Sequence, residues 1–220
     1  MNPAILFDLD GTLIDSIELI LNSARHAFID FGGRAPTDEE WRAGIGRPLH
    51  MVLREYAAGD DAEADRLFKR YREYQLEHHD RLIRPYDGIV ETVHWLSHAG
   101  HPMALVTSKS DWMAEKALVH VGLDRLIPII VGCDTCVNHK PHPEPVERAL
   151  ALLGAHAGDA LFVGDSPHDV ESGRAAGVMT VGVAWGAFSA EELKASGAEV
   201  VIDRVEELRD VVARFPAAGD

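Results

Sequence analysis

The chain has 220 residues, enough for one large domain or for one domain carrying a smaller one. Its 21 Lys plus Arg stand against 36 Asp plus Glu, a formal net charge of −15, which argues against a nucleic-acid surface and against docking on anionic lipid. No apolar run is long enough to span a membrane, no secretion signal opens the chain, and two cysteines cannot make a disulfide framework, so a cytoplasmic protein is expected.

The run Ile5-Leu6-Phe7 followed by Asp8-Leu9-Asp10-Gly11-Thr12 reads as a buried strand that ends in two carboxylates. Residues two apart in an extended backbone point to the same side, so Asp8 and Asp10 can face one site. Gly11 then lets the chain leave the strand through dihedrals that other residues resist. Two acids brought together need a positive partner, and oxygen-only ligands suit magnesium.

Beyond Thr12 the period becomes helical. Ile17, Leu21, Ala24 and Phe28 mark one helix, ended by Gly32-Gly33. Thr37 and Glu40 form a capping-box pattern for a second. Gly44-Ile45-Gly46-Arg47-Pro48 is a break, followed by a helix from Leu49 to Ala57. A long charged helix runs from Asp61 to about Arg81, with Leu67, Tyr71, Tyr74 and His78 along one face.

From Arg84 the pattern alternates. Helix Ile89 to His98 precedes strand Met103 to Thr107. Helix Trp112 to Val121, strand Ile127 to Val131, helix Pro143 to Leu153, strand Ala160 to Val163, helix Asp169 to Ala176 and strand Met179 to Val183 follow. A helix at Ala190 to Ala195, a strand at Val200-Val201 and a helix from Val205 to about Phe215 finish it, and Pro216 to Asp220 is expected to fray. Such alternation builds a parallel sheet with helices on both faces. A helical block of about seventy residues, far beyond loop length, separates the first strand from the next. The expected fold is therefore α/β: a Rossmann-like core from residues 1–14 and 84–220, with a helical cap from residues 15–83 inserted after the first strand. Ligands of such sheets sit outside the carboxyl ends of the strands, where the cap leaves the core as a lid.

Four stretches meet at that rim. They are Asp8 with Asp10, Thr107 with Ser108, Lys140 in Asn138-His139-Lys140-Pro141, and Gly164-Asp165 with Asp169. Hydroxyls and a lysine suit a phosphate, and four carboxylates suit a metal. Singly, each has an ordinary structural reading as a strand-end cap, a surface charge or a turn. Cys133 and Cys136 have C-x-x-C spacing, but no second thiolate pair completes a metal site, so they read as two small loop residues.

The four-part pattern closely resembles the haloacid dehalogenase-like hydrolase superfamily, over essentially the whole chain. The resemblance implies that Asp8 is a nucleophile and Asp10 a general acid/base. It implies that Thr107 and Lys140 bind the phosphoryl group, with the neighbouring Ser108 a further candidate substrate contact. Mg2+ would be held by Asp8, Asp165 and Asp10, the last through its backbone carbonyl, with Asp169 as a direct or indirect ligand. A dehalogenase would lack Asp10, and a phosphonate-cleaving relative needs an early cap lysine, whereas no lysine lies between Asp15 and Phe68. Val183-Ala184-Trp185-Gly186 and Val106-Thr107-Ser108-Lys109 look most like phosphoglycolate phosphatases and their pyrophosphatase cousins. β-Phosphoglucomutase shares the first acids and the cap.

The expected activity is thus a Mg2+-dependent phosphatase acting on a small phosphorylated metabolite, in a monomer or homodimer. Arg47, between Gly46 and Pro48 in an acidic cap, is a candidate contact for the substrate's non-reacting end. A phospho-receiver domain also gathers acids, a hydroxyl and a lysine at a sheet rim. It phosphorylates a mid-chain aspartate and has no such cap. A cap-bearing fold serving only as a binding module is disfavoured because no motif acid is missing.

Overall fold

In the computed structural model, which describes residues 2–215, the first apolar run forms β1 (Ala4–Phe7), buried along its length. Ile5 and Phe7 enter one layer of core, Ala4 and Leu6 the other. A strand buried on both faces has no polar side to show, which is why the run is continuously apolar. Phe7 is fully enclosed, and truncating it to Ala would cost about 3–5 kcal/mol.

The chain leaves β1 through the Asp8–Leu13 loop and passes along β2 (Ile14–Asp15) into four helices. These are α1 (Ile17–Ala27), α2 (Asp38–Ala43), α3 (Leu49–Tyr56) and α4 (Asp61–Leu82). It returns along β3 (Arg84–Pro85), which pairs antiparallel with β2. The two crossings between the helical block and the sheet are thus stitched together, with Arg84 and Asp15 in ion contact at 3.0 Å. The helices bury a hydrophobic cluster of their own, including Ile20, Phe28, Trp41, Leu53 and Leu67. Thr37 and Glu40 make the reciprocal capping box expected of them.

The charged helix corrects one expectation. Its buried stripe is Leu67, Tyr71, Gln75 and His79, while Tyr74 and His78 are only half-buried. The apolar character of Tyr74 led the sequence reading one residue aside. Gln75 and His79 can be buried because each has a polar partner: the Arg72 guanidinium donates to Gln75 Oε1, and His79 Nδ1 lies 2.6 Å from Asp80 Oδ1.

The remaining chain is α5 (Ile89–Ala99), β4 (Met103–Val106), α6 (Asp111–Val121), β5 (Ile129–Val131), α7 (Glu144–Leu153), β6 (Ala160–Gly164), α8 (Pro167–Ala176), β7 (Met179–Val183), α9 (Ala190–Ala195), β8 (Val200–Ile202) and α10 (Glu207–Arg214). Six strands form one parallel sheet in the order β5-β4-β1-β6-β7-β8. Helices α5, α6 and α10 send side chains into the core layer of Phe7, and α7 into that of Leu6. Strand order reverses about β1, so the crevice at its carboxyl end is the expected ligand position. Several boundaries move, and α10 begins at Glu207 instead of Val205. Ile127 is buried ahead of β5 rather than within it, and α8 begins at Pro167 instead of Asp169. Ser166 and Asp169 are the two halves of a capping box, an S-x-x-D signal legible in the sequence. No helix among the described residues is long and apolar enough to cross a membrane.

Candidate active site

Each candidate residue of the core lies just past the carboxyl end of a strand. The Asp8 N–H donates to Val163 O at 2.9 Å, continuing the β1–β6 ladder by one residue and aligning Asp8 with the rim. The Thr107 N–H does the same with Val131 O at 2.9 Å on the other side of β4. Lys140 comes from the loop after β5, Asp165 follows β6, and Asp169 lies in the first turn of α8.

Asp8, Asp165 and Asp169 are buried and converge, each offering an oxygen within 4.8 Å of the others. The Lys140 ammonium bridges two of them, 2.9 Å from Asp8 Oδ1 and 2.5 Å from Asp169 Oδ1, and also donates to Val106 O at 3.3 Å. Asp169 Oδ2 meanwhile accepts from the Ser166 N–H and hydroxyl, so the capping box fixes the carboxylate that meets Lys140. Asp165 accepts from the Ala187 N–H at 2.7 Å and the Thr12 hydroxyl at 3.2 Å. A side chain at Gly11 or Gly186 would overlap the Asp165 carboxylate, and Gly11 also has a φ of +84°. The glycine after the paired acids therefore serves the acid that follows β6 as well as its own turn.

Asp10 stands apart from this cluster. Its Oδ1 accepts from the Ser16 hydroxyl at 2.6 Å, and its Oδ2 lies 2.9 Å from the Lys109 ammonium. Lys109 is the residue that sequence reasoning passed over, although it follows Thr107 by two. Its side chain is only 8% exposed, and the Thr107 hydroxyl oxygen accepts from its backbone N–H at 3.2 Å. That leaves the Thr107 hydroxyl proton free to donate toward the site.

The electrostatics follow from burial. Burial pushes Asp8 up to about 7; Lys140 opposes the shift, and the Asp169 and Asp10 charges add to it. Asp165 is raised well above the carboxylate range by burial, then by Asp8 and Asp169. Burial would lower Lys140, but the Asp169 and Asp8 carboxylates outweigh it and hold the ammonium charged. Cys133 and Cys136 are free thiols, with Cys133 pushed up to about 12 by burial, so neither is a ready thiolate.

The helical block closes over the rim. The Ser108 hydroxyl donates to Gly46 O at 2.5 Å, joining the loop after β4 to the loop between α2 and α3. Gly46, with a φ of +95°, sits so close that a Cβ would come within 3.0 Å of Ser166 Oγ. Beneath this loop lies a cavity of about 340 Å³. Asp8, Asp10, Thr107 and Lys109 line it from the sheet, and Ile20, Trp41, Ile45, Leu49, Arg47 and Arg72 from the helices. Arg47 reaches the cavity, yet its guanidinium is forked on Glu55.

The chain is similar to known proteins in sequence and in fold. The model of the haloacid dehalogenase-like hydrolases matches residues 5–183. The chain is 36% identical over 209 residues to pyrophosphatase PpaX of Listeria monocytogenes, covering 94% of this chain and 95% of that one. Identity to pyrophosphatase PpaX of Bacillus mycoides is 34% over 211 residues, covering 96% and 97%. Among solved structures, a predicted phosphatase from Clostridium acetobutylicum superposes with a TM-score of 0.85 at 28% identity, covering 97% of this chain and 99% of that one. With its buried acid cluster, rim lysine and closing helical block, the chain belongs to the haloacid dehalogenase-like hydrolase family and is a phosphatase.

Proposed function

We propose that the protein is a Mg2+-dependent phosphatase that cleaves a small phosphoryl compound bearing a second anionic group. The observation that carries this reading is the buried group of Asp8, Asp165 and Asp169 around a single ammonium, Lys140. Three carboxylates against one ammonium leave excess negative charge in a dry pocket, and Asp8 and Asp165 are driven toward protonation. A hard divalent cation with oxygen ligands fits this donor set and relieves both. Asp8, Asp165 and Asp169, with the backbone carbonyl of Asp10, would hold it. Bound there, Mg2+ supplies positive charge that offsets repulsion between a carboxylate and a phosphoryl group.

The residues then divide the chemistry. Asp8 attacks phosphorus, the bond to the leaving oxygen breaks, and an aspartyl-phosphate forms, splitting one hard displacement into two. Asp10 gives the leaving oxygen its proton, then takes one from the water that hydrolyses the aspartyl-phosphate. Ser16 and Lys109 hold the Asp10 carboxylate in place for both steps. Lys140 and the Thr107 and Ser108 hydroxyls neutralise and orient the phosphoryl oxygens. In this reading residues 15–83 are a cap that excludes water from the reacting pair.

For the substrate, the similarity to enzymes named pyrophosphatase favours inorganic pyrophosphate. The Val183–Gly186 and Val106–Lys109 stretches equally suit phosphoglycolate, which shares the pairing of a phosphoryl group with a second anion. The test is kcat/KM with Mg2+ for pyrophosphate, phosphoglycolate and a panel of sugar phosphates. A preference for neutral-tailed sugar phosphates over both of these doubly anionic-ended compounds would reject the proposed substrate class.

A further inference from the structure

Three Lys or Arg side chains line the cavity: Arg47, Arg72 and Lys109. Arg47 is forked on Glu55, and Lys109 is paired with Asp10. Arg72 differs. Among the described residues no carboxylate makes ion contact with it, and its guanidinium donates only to neutral oxygens, Gln75 Oε1 and Ser110 Oγ, the latter at 3.3 Å. Its Cζ lies over two aromatic rings, 5.1 Å from the Phe68 centroid and 5.6 Å from that of Trp112. Burial lowers its pKa, and Tyr71, Cys133, Asp10 and Asp134 nearby oppose the shift without making ion contact. Asp134, the other acid on this wall, uses its carboxylate to accept from the Asp111 N–H at 3.1 Å.

A guanidinium taken partly out of water without a counter-ion is costly. The stacking and the two neutral acceptors offset part of that cost and hold the plane in one orientation. They leave the other donors of its five N–H groups without a protein partner. In a chain of net charge −15, such a cation lining the cavity is suited to meet an anion.

We propose that Arg72, set by Gln75, Ser110, Phe68 and Trp112, is the subsite for the second anionic group of the substrate, a phosphate or carboxylate. The inference rests on the phosphatase reading and deepens it by naming the residue that selects the substrate. It also couples selection to closure. Arg72 belongs to α4 of the helical block and Ser110 to the sheet side, so the subsite is complete only when the two are together.

The test reads competitive inhibition of p-nitrophenyl phosphate turnover at a fixed excess of Mg2+. One inhibitor is orthophosphate, with a single anionic end. The other is methylenediphosphonate, with two. In Arg72→Gln the Ki for methylenediphosphonate should rise by about 10- to 100-fold, the range for one charge-assisted contact. The Ki for orthophosphate should rise by less than about threefold. Equal weakening of both inhibitors, or of neither, would overturn the proposal. Should Arg72→Gln lose its cooperative melting transition, Arg72→Lys, which keeps the charge and loses the planar fork, is read by the same selectivity. Wild-type protein that turned over no p-nitrophenyl phosphate would instead remove the phosphatase reading, an outcome distinct from a loss of selectivity.

Discussion

The Lys109 ammonium lies 2.9 Å from Asp10 Oδ2, while the Lys140 ammonium lies 2.9 Å from Asp8 Oδ1. The two acids of the first loop are thus held by different lysines from different strand ends. Asp8 belongs to the buried carboxylate cluster, and Asp10 lies outside it, facing the cavity. This separation underlies the predictions below.

Asp8→Asn should abolish turnover and keep the fold. The amide removes both the attacking oxygen and one charge of the metal site. A loss above roughly a thousandfold, about 4 kcal/mol of barrier, is expected. Steady-state rates on p-nitrophenyl phosphate decide it: a variant retaining a tenth of the wild-type rate would contradict attack by Asp8.

Stability should depend on pH and Mg2+ together. In metal-free protein Asp8 is raised from 3.8 to about 7. A carboxyl whose folded pKa is raised binds its proton more tightly when folded, so its stabilising contribution is present below about 4 and lost as pH rises through about 7. Mg2+ binds the ionised form and should restore stability increasingly over that window. Thermal melts at pH 5 and pH 8, with and without Mg2+, should show the larger rise at pH 8, and Asp8→Asn should flatten the difference. A Mg2+ effect that shrank with rising pH would exclude these carboxylates as the site.

Asp10→Asn should fold and bind Mg2+ yet turn over about 100- to 10,000-fold more slowly, the usual worth of one proton-transfer group. Its carboxylate lies outside the three-acid cluster, so metal affinity should hold. Lys109→Ala should share the phenotype in milder form, because it frees the Asp10 carboxylate without removing it. Calorimetric Mg2+ titration beside kcat separates the roles; loss of Mg2+ binding in the Asn variant would make Asp10 a side-chain ligand.

Arg47→Ala should lower kcat/KM for pyrophosphate or phosphoglycolate more than for p-nitrophenyl phosphate, by a smaller ratio than Arg72→Gln. Its fork must first leave Glu55, which takes back part of any gain from meeting the substrate. Glu55→Gln should then raise kcat/KM for pyrophosphate and phosphoglycolate. Equal losses on all substrates in Arg47→Ala would leave Arg47 a support of α3 with no part in selection.

Much of this protein was determined by local sequence. Continuous burial of β1 follows from Ile5, Leu6 and Phe7, and the capping box of α2 from Thr37 and Glu40. The rim positions of Asp8, Thr107, Lys140, Asp165 and Asp169 follow from parallel-strand topology, because every strand of such a sheet delivers its carboxyl end to the same edge. Other relations joined residues far apart in the chain and carried no local pattern. Lys109 meets Asp10, Gly11 and Gly186 make room for Asp165, Ser108 holds Gly46, and β2 pairs with β3. On α4, apolar periodicity pointed to Tyr74 and His78, but packing chose Gln75 and His79, since a buried polar group is stable wherever the fold brings it a partner. That Arg72 makes ion contact with no carboxylate among the described residues is of the same kind. Charge counts show how many cations a chain has, and only the tertiary arrangement decides which of them is left without a counter-ion inside a cavity.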